Sequence, residues 1–276
     1  MNLNDSTICF IGAGNMASCI IGGLLKNGFP AQQIIASSPA SDKNLSTLKE
    51  SLNISTHSNN AQAVTNADII VLSVKPQVLQ SVCEEISHSL SHQPLIISIA
   101  AGISIDSIHS WLGNNLPIVR CMPNTPSQVL KGASGLIENT QVSDAQKQAA
   151  GELFSAIGIV EWVKDEHQIH AVTALSGSGP AYIFLVIEAM EAAAVKQGLS
   201  PETARRLAAQ TVAGAAEMVL SSDVEPAQLK RNVMSPGGTT ERAIQTFESL
   251  DLVSVFESAI NAAAERSIEM ATQLKG

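Results

Sequence analysis

The sequence predicts an α/β protein with an N-terminal Rossmann-type parallel sheet, helices on both faces of the sheet, and an all-α C-terminal dimerisation domain. Apolar runs without alternation recur through the first half, as is typical of parallel strands buried on both faces. A glycine-rich turn follows the first run. Beyond residue 163 the apolar pattern is helical and no convincing strand remains, so we expect domains at 1–163 and 164–276.

Each predicted element rests on a run of apolar residues and on the turn or cap that bounds it. In chain order, the predicted strands are 7–11, 34–36, 69–74, 95–99, 118–121, 133–137 and 159–163. A helix is predicted over 143–157, and five more over 180–197, 201–220, 227–232, 239–250 and 252–274. The helices that begin near 182 and 203 are apolar on nearly every face, which indicates burial against a second copy of the chain.

Length and composition limit the class of protein. The chain has 276 residues, enough for two domains, and its net charge of −9 disfavours nucleic acid or an anionic membrane surface as the main partner. Its four cysteines form no C-x-x-C pair, which favours buried thiols in a reducing compartment. The stretch 181–195 is interrupted by Glu188 and Glu191, so we expect no membrane span there. No signal peptide is recognised, and we expect a cytoplasmic protein.

A glycine turn after the first strand indicates a dinucleotide site. Gly12 permits a tight turn, Gly14 lets the backbone approach a pyrophosphate, and Ala17 keeps the next helix close to the sheet. The helix that begins near Asn15 directs unpaired N–H groups at the anion. An ordinary strand–turn–helix is the alternative interpretation.

The end of the second strand bears on which dinucleotide binds. In NAD-selective folds an Asp or Glu there accepts a hydrogen bond from the adenosine ribose. Here Ser37, Ser38 and Pro39 take that place, and no carboxylate appears before Asp42. Two hydroxyls and free backbone N–H groups can receive a 2′-phosphate. We therefore expect NADP(H) to be preferred, with NAD(H) possible, unless the segment is simply a turn.

Other motifs follow later strands, where open α/β sheets bind ligands. V-K-P-Q begins at Val74, S-I-A-A-G at Ser98 and R-C-M-P-N-T-P at Arg120. V-K-P-Q has an alternative interpretation, in which Lys75 is a charge at a strand end and Pro76 begins a helix. The small residues of S-I-A-A-G are equally explained by close packing of a helix.

Two small-residue turns lie in the helical half. L-S-G-S-G-P, from Leu175, lacks the G-x-S-x-G spacing of a hydrolase, so a nucleophilic serine is not expected. S-P-G-G-T-T, from Ser235, places glycine amides at a helix N-terminus, where a carboxylate binds well, and Ser235 and Thr240 add hydroxyls. A capped turn without a ligand is the alternative.

Taken in order, these motifs resemble the Δ1-pyrroline-5-carboxylate reductase family over essentially the whole chain. They are F-I-G-A-G-N-M-A, S-S-P, V-K-P-Q, A-A-G, R-C-M-P-N-T-P, L-S-G-S-G-P-A-Y and S-P-G-G-T-T. The resemblance implies NAD(P)H-dependent hydride transfer to the imine carbon of 1-pyrroline-5-carboxylate, which gives L-proline in the last step of its biosynthesis. It also implies a homodimer or a larger ring of dimers, whose active site lies between the cofactor cleft and the dimer helices.

The resemblance further implies which residues bind the reactants. For the cofactor they are Ile11, Gly12, Ala13, Gly14, Asn15, Met16, Ser37, Ser38, Asn60, Ser73, Val74, Lys75, Pro76, Ile99, Ala100, Ala101 and Asn232. For the substrate they are Glu166, Ser235, Gly237, Gly238, Thr239 and Thr240. We assign the substrate carboxylate to Ser235 and the amides of 237–239, and the ring nitrogen to the catalytic hydroxyl of Thr240. Asp223 and Glu225 both fall near an acidic position of some relatives.

Other interpretations remain open at this point. A β-hydroxyacid or ketopantoate-type dehydrogenase would share the nucleotide half but needs a lysine acid, and Lys196 and Lys230 lie in no catalytic motif. A nucleotide-sensing protein would leave S-P-G-G-T-T without a role. His167 and His170 lie three residues apart, but without a third ligand nearby we expect no metal.

Overall fold

The computed structural model describes residues 1–113 and 115–274. By packing, the chain forms two compact units: the first comprises residues 1–178 and the C-terminal stretch from Ala263, and the second is Gly179–Ala262. The packing division therefore falls later than the expected boundary after residue 163. The reason is that Ile169 and Ala174 are still buried, with Ile169 in the same apolar cluster as the sheet.

The first unit is built on an eight-stranded sheet with the order β3-β2-β1-β4-β5-β6-β7-β8. Its strands are β1 Ile8–Ile11, β2 Ile34–Ser37, β3 Ser55–His57, β4 Ile69–Leu72, β5 Leu95–Ser98, β6 Ile118–Met122, β7 Gly132–Glu138 and β8 Gly158–Trp162. Neighbouring strands pair in parallel except β6 and β7, which are antiparallel. The sheet is thus mostly parallel, and its reversed pair lies away from the glycine turn.

Twelve α-helices lie within the described residues. They are α1 Asn15–Lys26, α2 Lys43–Leu52, α3 Asn60–Ala63, α4 Pro76–Ile86, α5 Ile105–Leu112, α6 Asp144–Ser155, α7 Gln168–Val172, α8 Gly179–Lys196, α9 Pro201–Leu220, α10 Pro226–Val233, α11 Thr239–Ser249 and α12 Leu252–Gln273. The elements predicted from the sequence are present to within a few residues. Strand β3 was not predicted, because its Ser-Thr-His sequence is polar and lies at the sheet edge.

Two apolar cores cover the opposite faces of the sheet, as the continuous apolar strands predicted. Because side chains alternate along a strand, Ile8 and Phe10 of β1 join one core while Cys9 and Ile11 join the other. Helices α1, α2 and α6 cover the first face, and α4 and α5 cover the second. Both cores are almost completely buried and close-packed. The ends of the strands that border the predicted cofactor site are therefore held rigidly.

The cysteines do not all behave as expected. Cys9, Cys83 and Cys121 are buried free thiols, but Cys19 on α1 is only partly buried. Burial raises the pKa of Cys9 and of Cys83 to about 12, and it raises the pKa of Cys121 well above its usual value. The three buried thiols are therefore protonated at neutral pH and are poor nucleophiles.

The second unit is entirely helical and leaves much apolar surface exposed. Among its residues only Ala204 and Ala208 are buried. Its large exposed apolar side chains include Phe184, Leu185, Leu207, Met218, Leu220, Phe247, Leu250 and Val253. So much exposed apolar surface is typical of an interface with another chain.

One helical stretch of the described chain, Gln168–Lys196, is long and apolar enough to cross a membrane by length and composition alone, with a mean hydropathy of 1.3. The charge-interrupted stretch 181–195 is only part of this helix. The continuous helix is longer because α7 leads through a π-helical turn, Thr173–Gly177, directly into α8. Helices that pack in apolar interfaces meet the same length and composition criterion.

Candidate active site

The turn between β1 and α1 can be made only by glycine at its first position. Gly12 has φ +103°, and a Cβ there would lie 2.7 Å from the carbonyl oxygen of Ser73. Its N–H donates to the carbonyl of Ser37 at 2.7 Å. The Ser73 hydroxyl donates to the carbonyls of Ile11 and Gly12, at 2.9 and 3.0 Å. Ser73 therefore holds the turn in place between β1 and β4.

Gly14 is the N-cap of α1, and the space around it is open. Its φ is −72°, which any residue adopts, yet a Cβ built there would meet no atom within 4 Å. No side chain caps the helix, so its first amides, from Asn15 onward, have no intrahelical partner. Open space above uncapped amides fits a pyrophosphate, because the amides and the helix dipole both favour an anion.

The adenosine end of the cleft differs from the sequence expectation. The Ser37 hydroxyl donates to Asn60 Oδ1 at 2.8 Å, and the Ser38 hydroxyl donates to Asp42 Oδ2 at 2.6 Å. The Ser38 amide donates to the carbonyl of His57 at 3.2 Å. The hydroxyls and the N–H expected to be free are therefore engaged. The chain also folds back so that the Asp42 carboxylate, which caps α2, lies beside Ser38.

Asn60 extends this network away from the strand end. Its side-chain amide donates to Glu85 Oε2 at 2.9 Å, so a second carboxylate approaches the same region. A 2′-phosphate here would be surrounded by acceptors as well as by the polar groups that the sequence suggested.

The ends of β4 and β5 border the other side of the turn. Leu72 pairs with Ser98 across these strands, so Val74, Lys75 and the segment from Ile99 leave the sheet at the same edge. Lys75 is exposed and Pro76 begins α4. Ile99, Ala100 and Ala101 carry small or compact side chains. The strand ends thus bring these residues to the same edge as the glycine turn.

Glu166 is held by two donors on different elements. Arg120 Nη1 of β6 and the amide of Ile105, the first residue of α5, both donate to Glu166 Oε1 at 2.8 Å. The Arg120 side chain is 3% exposed and that of Glu166 is 29% exposed. The sequence motif at Arg120 predicts only a rigid loop and not the partner of this arginine, which lies 46 residues further along the chain.

His170 lies close to this ion pair. Burial, and then repulsion from the Arg120 cation and from His167, lowers the pKa of His170, while Glu166 opposes the shift. Its Nδ1 is 2.9 Å from the Ser267 hydroxyl of α12. Within residues 1–113 and 115–274, no three His, Cys, Asp or Glu side chains form a group that could hold a metal ion.

Of the predicted substrate residues, all except Glu166 lie in the second unit, at or just before the N-terminus of α11. Gly238 is the N-cap of this helix, and the amides of Thr239 and Thr240 belong to its first turn. Two amides nearby are already engaged: Gly237 donates to Glu241 Oε2 at 2.7 Å, and Gly238 donates to the carbonyl of Ser235 at 2.9 Å. The chain's own carboxylate thus lies on part of the predicted anion site.

Asn232 is on α10, where its Oδ1 accepts from Gln228 at 2.7 Å. Lys230 of the same helix pairs with Glu248 at 3.1 Å, and Lys196 is the last residue of α8. Neither lysine is buried, so neither has the environment that tunes a catalytic acid.

The sequence was compared with known proteins. Residues 166–270 match a family model described as pyrroline-5-carboxylate reductase dimerisation, and residues 7–102 match one described as NADP oxidoreductase, coenzyme F420-dependent. A pyrroline-5-carboxylate reductase of Pseudomonas aeruginosa is 54% identical over 272 residues, which are 99% of each chain.

Solved structures give the same result. The pyrroline-5-carboxylate reductase of Coxiella burnetii is similar with a TM-score of 0.93 and 46% identity, covering 96% of this chain and 98% of that one. That of Plasmodium falciparum, solved with NADP bound, has a TM-score of 0.85 and 33% identity, covering 97% and 99%.

Proposed function

The chain belongs to the pyrroline-5-carboxylate reductase family and reduces 1-pyrroline-5-carboxylate to L-proline with a nicotinamide cofactor, and we propose that the two groups of residues described above divide this work. The strand ends of the first unit bind the cofactor. The N-terminus of α11 binds the substrate. The assignment to this family is carried by the full-length similarity. The division of labour is supported by the open, uncapped N-terminus of α1 and by the amides of Thr239 and Thr240 in the first turn of α11.

The glycine turn provides a cradle for the cofactor. Gly12 fits only as glycine, and the space at Gly14 leaves the α1 amides accessible to a pyrophosphate. Ile11, Ala13, Asn15 and Met16 complete this turn. When bound, a reduced nicotinamide supplies the hydride. The residues at the ends of β4 and β5 would hold its ring and ribose, namely Ser73, Val74, Lys75, Pro76, Ile99, Ala100 and Ala101.

NADPH is the preferred form in this proposal. Its support is the absence of a carboxylate within Ser37-Ser38-Pro39 and the NADP-bound relative from Plasmodium falciparum. The position of Asp42, which accepts from Ser38, limits this preference because its charge opposes a 2′-phosphate. NADH is therefore expected to work as well.

Reduction of the imine adds a hydride to carbon and a proton to nitrogen. The ring nitrogen becomes an amine, so a hydroxyl positioned beside it can pass a proton from water or hold a proton already present. Thr240 has this role in the proposal, and Ser235 and the Thr239 amide hold the substrate carboxylate. The amides of Gly237 and Gly238 join them once they give up their hydrogen bonds to Glu241 Oε2 and to the Ser235 carbonyl. The main contribution of these groups is orientation, because a protonated imine is already electrophilic. Glu166 and Asn232 would contact cofactor or product.

The active form is proposed to be a homodimer or a larger ring of dimers in the cytoplasm. The apolar side chains exposed on α8, α9 and α12 need a partner surface, and residues 166–270 match a dimerisation model. The free cysteines fit a reducing compartment. No role for nucleic acid or a membrane is proposed.

The function is tested by following NADPH absorbance on addition of 1-pyrroline-5-carboxylate. Thr240→Ala is expected to lower kcat at least tenfold while NADPH affinity changes less than twofold, because the hydroxyl acts on the imine. Thr246→Ala on the same helix, whose hydroxyl donates only to the Arg242 carbonyl, is the matched control. Equal loss of kcat and NADPH affinity in Thr240→Ala would contradict the assigned role.

A further inference from the structure

The ion pair between Arg120 and Glu166 is not explained by the roles assigned so far. The side chain of Arg120 is almost completely buried in the middle of β6, between β5 and β7. Desolvation of a buried cation offsets most of what its ion pair contributes, and an apolar side chain of similar size often stabilises a fold equally well. Stability alone is therefore a weak reason for an arginine at this position.

The geometry connects Arg120 to Glu166, the carboxylate that is proposed to contact the reactants. Both Arg120 Nη1 and the Ile105 amide donate to the same atom, Glu166 Oε1, at 2.8 Å. Ile105 begins α5, directly after the segment from Ile99 that borders the cleft. Because the two donors meet at Oε1, the acceptor capacity of Oε2 is left for a ligand.

We propose that Arg120 is a positioning residue for the reductase reaction: it fixes Glu166 so that Oε2 accepts a hydrogen bond from the bound reactants. Arg120 itself touches neither cofactor nor substrate and acts only through Glu166. The inference rests on the proposed contact between Glu166 and the reactants. It adds the reason why that carboxylate has a defined position.

The charged neighbours support this arrangement. His170 and His167 lie near the pair, and burial together with the Arg120 charge lowers the pKa of His170. His170 is therefore neutral at pH 7 and does not compete with Arg120 for Glu166.

A double-mutant cycle tests the proposal on the purified full-length enzyme. Arg120→Met, Glu166→Ala and the double variant are compared by kcat/KM for 1-pyrroline-5-carboxylate and for NADPH, and thermal unfolding is measured separately. Arg120→Met is expected to lower kcat/KM at least tenfold when Glu166 is present and less than twofold when it is replaced by alanine. Arg120→Lys, which retains the charge, is expected to recover part of the loss.

Arg266→Met is the matched control, since it breaks an exposed pair with Glu269 in the same unit and is expected to leave kcat/KM unchanged. An equal loss from Arg120→Met in both backgrounds would overturn the inference and leave the role of Glu166 intact. No effect of Glu166→Ala alone would remove the proposed contact of Glu166, and the inference with it. If Arg120→Met does not fold, Arg120→Lys in the two backgrounds gives the same comparison.

Discussion

Single hydrogen bonds at the ends of the strands determine which polar groups are left to bind a ligand. The Ser38 hydroxyl is used by Asp42, and the Ser37 hydroxyl by Asn60. The Gly237 amide is likewise used by Glu241. In each case an acceptor of the chain lies where the sequence suggested room for an anionic ligand. The affinity for that ligand then depends on the charge of the acceptor.

Asp42→Asn is expected to shift cofactor preference toward NADPH. The amide oxygen can still accept from the Asn44 amide and so keep the cap of α2, but the charge beside a 2′-phosphate is lost. A change of roughly 1 kcal/mol, about fivefold in the ratio of kcat/KM for NADPH to that for NADH, is expected. Steady-state kinetics with both cofactors measure it, and Asp144→Asn in the first turn of α6 is the control. An unchanged ratio would show that Asp42 lies outside the phosphate's reach.

Glu241→Gln is expected to lower the KM for 1-pyrroline-5-carboxylate about threefold or more, with the KM for NADPH unchanged. Glutamine can still accept from the Gly237 amide, while the repulsion between two carboxylates at the α11 N-terminus is removed. Glu248→Gln near the end of the same helix is the control. A rise in the KM for the substrate would mean that the charge of Glu241 supports the loop more than it opposes the substrate.

At the scale of elements, the two glycines of the turn between β1 and α1 differ in what they are needed for. Gly12 is needed for folding, and Gly14 is expected to be needed only for binding. Gly12→Ala forces a Cβ against Ser73 at positive φ, so both the melting temperature and NADPH affinity are expected to fall. Gly14→Ala meets open space, so it is expected to weaken NADPH binding about tenfold while the melting temperature stays within 2 °C or so of wild type. Calorimetry and fluorescence titration separate the two effects. Tight NADPH binding by Gly14→Ala would argue against a pyrophosphate at this turn.

The elements show how far the sequence leads. Strands such as β1 and β4 are predictable because they are apolar throughout and buried on both faces. The direction of β7 is not predictable from the sequence, because a run of this kind can pair in parallel or antiparallel. Strand β3 carries too little apolar surface to be recognised. The motifs located the turn and the α11 N-terminus, but the contacts of Asp42, Glu241 and Arg120 arise from folding and no spacing rule predicts them.

At the scale of the whole molecule, the exposed apolar surface of the helical unit predicts that assembly and activity are lost together. Leu185→Asp on α8 places a charge on an apolar face that is 65% exposed in the single chain. Burying that charge in an interface costs several kcal/mol, so the molar mass from light scattering is expected to fall and kcat to drop at least tenfold. Val129→Asp, at an exposed apolar position of the first unit, is the control. A fully active monomer would exclude a shared active site.

The unequal burial of the four thiols offers a practical tool. Cys9, Cys83 and Cys121 are buried, whereas Cys19 is partly exposed on α1, the helix whose first turn is proposed to face the dinucleotide. Burial also raises the pKa of the Cys19 thiol, so its accessibility is what distinguishes it from the other three. A maleimide dye should therefore attach at a single native position without any engineered cysteine. Its emission would then report cofactor arrival and departure in real time on the unaltered polypeptide.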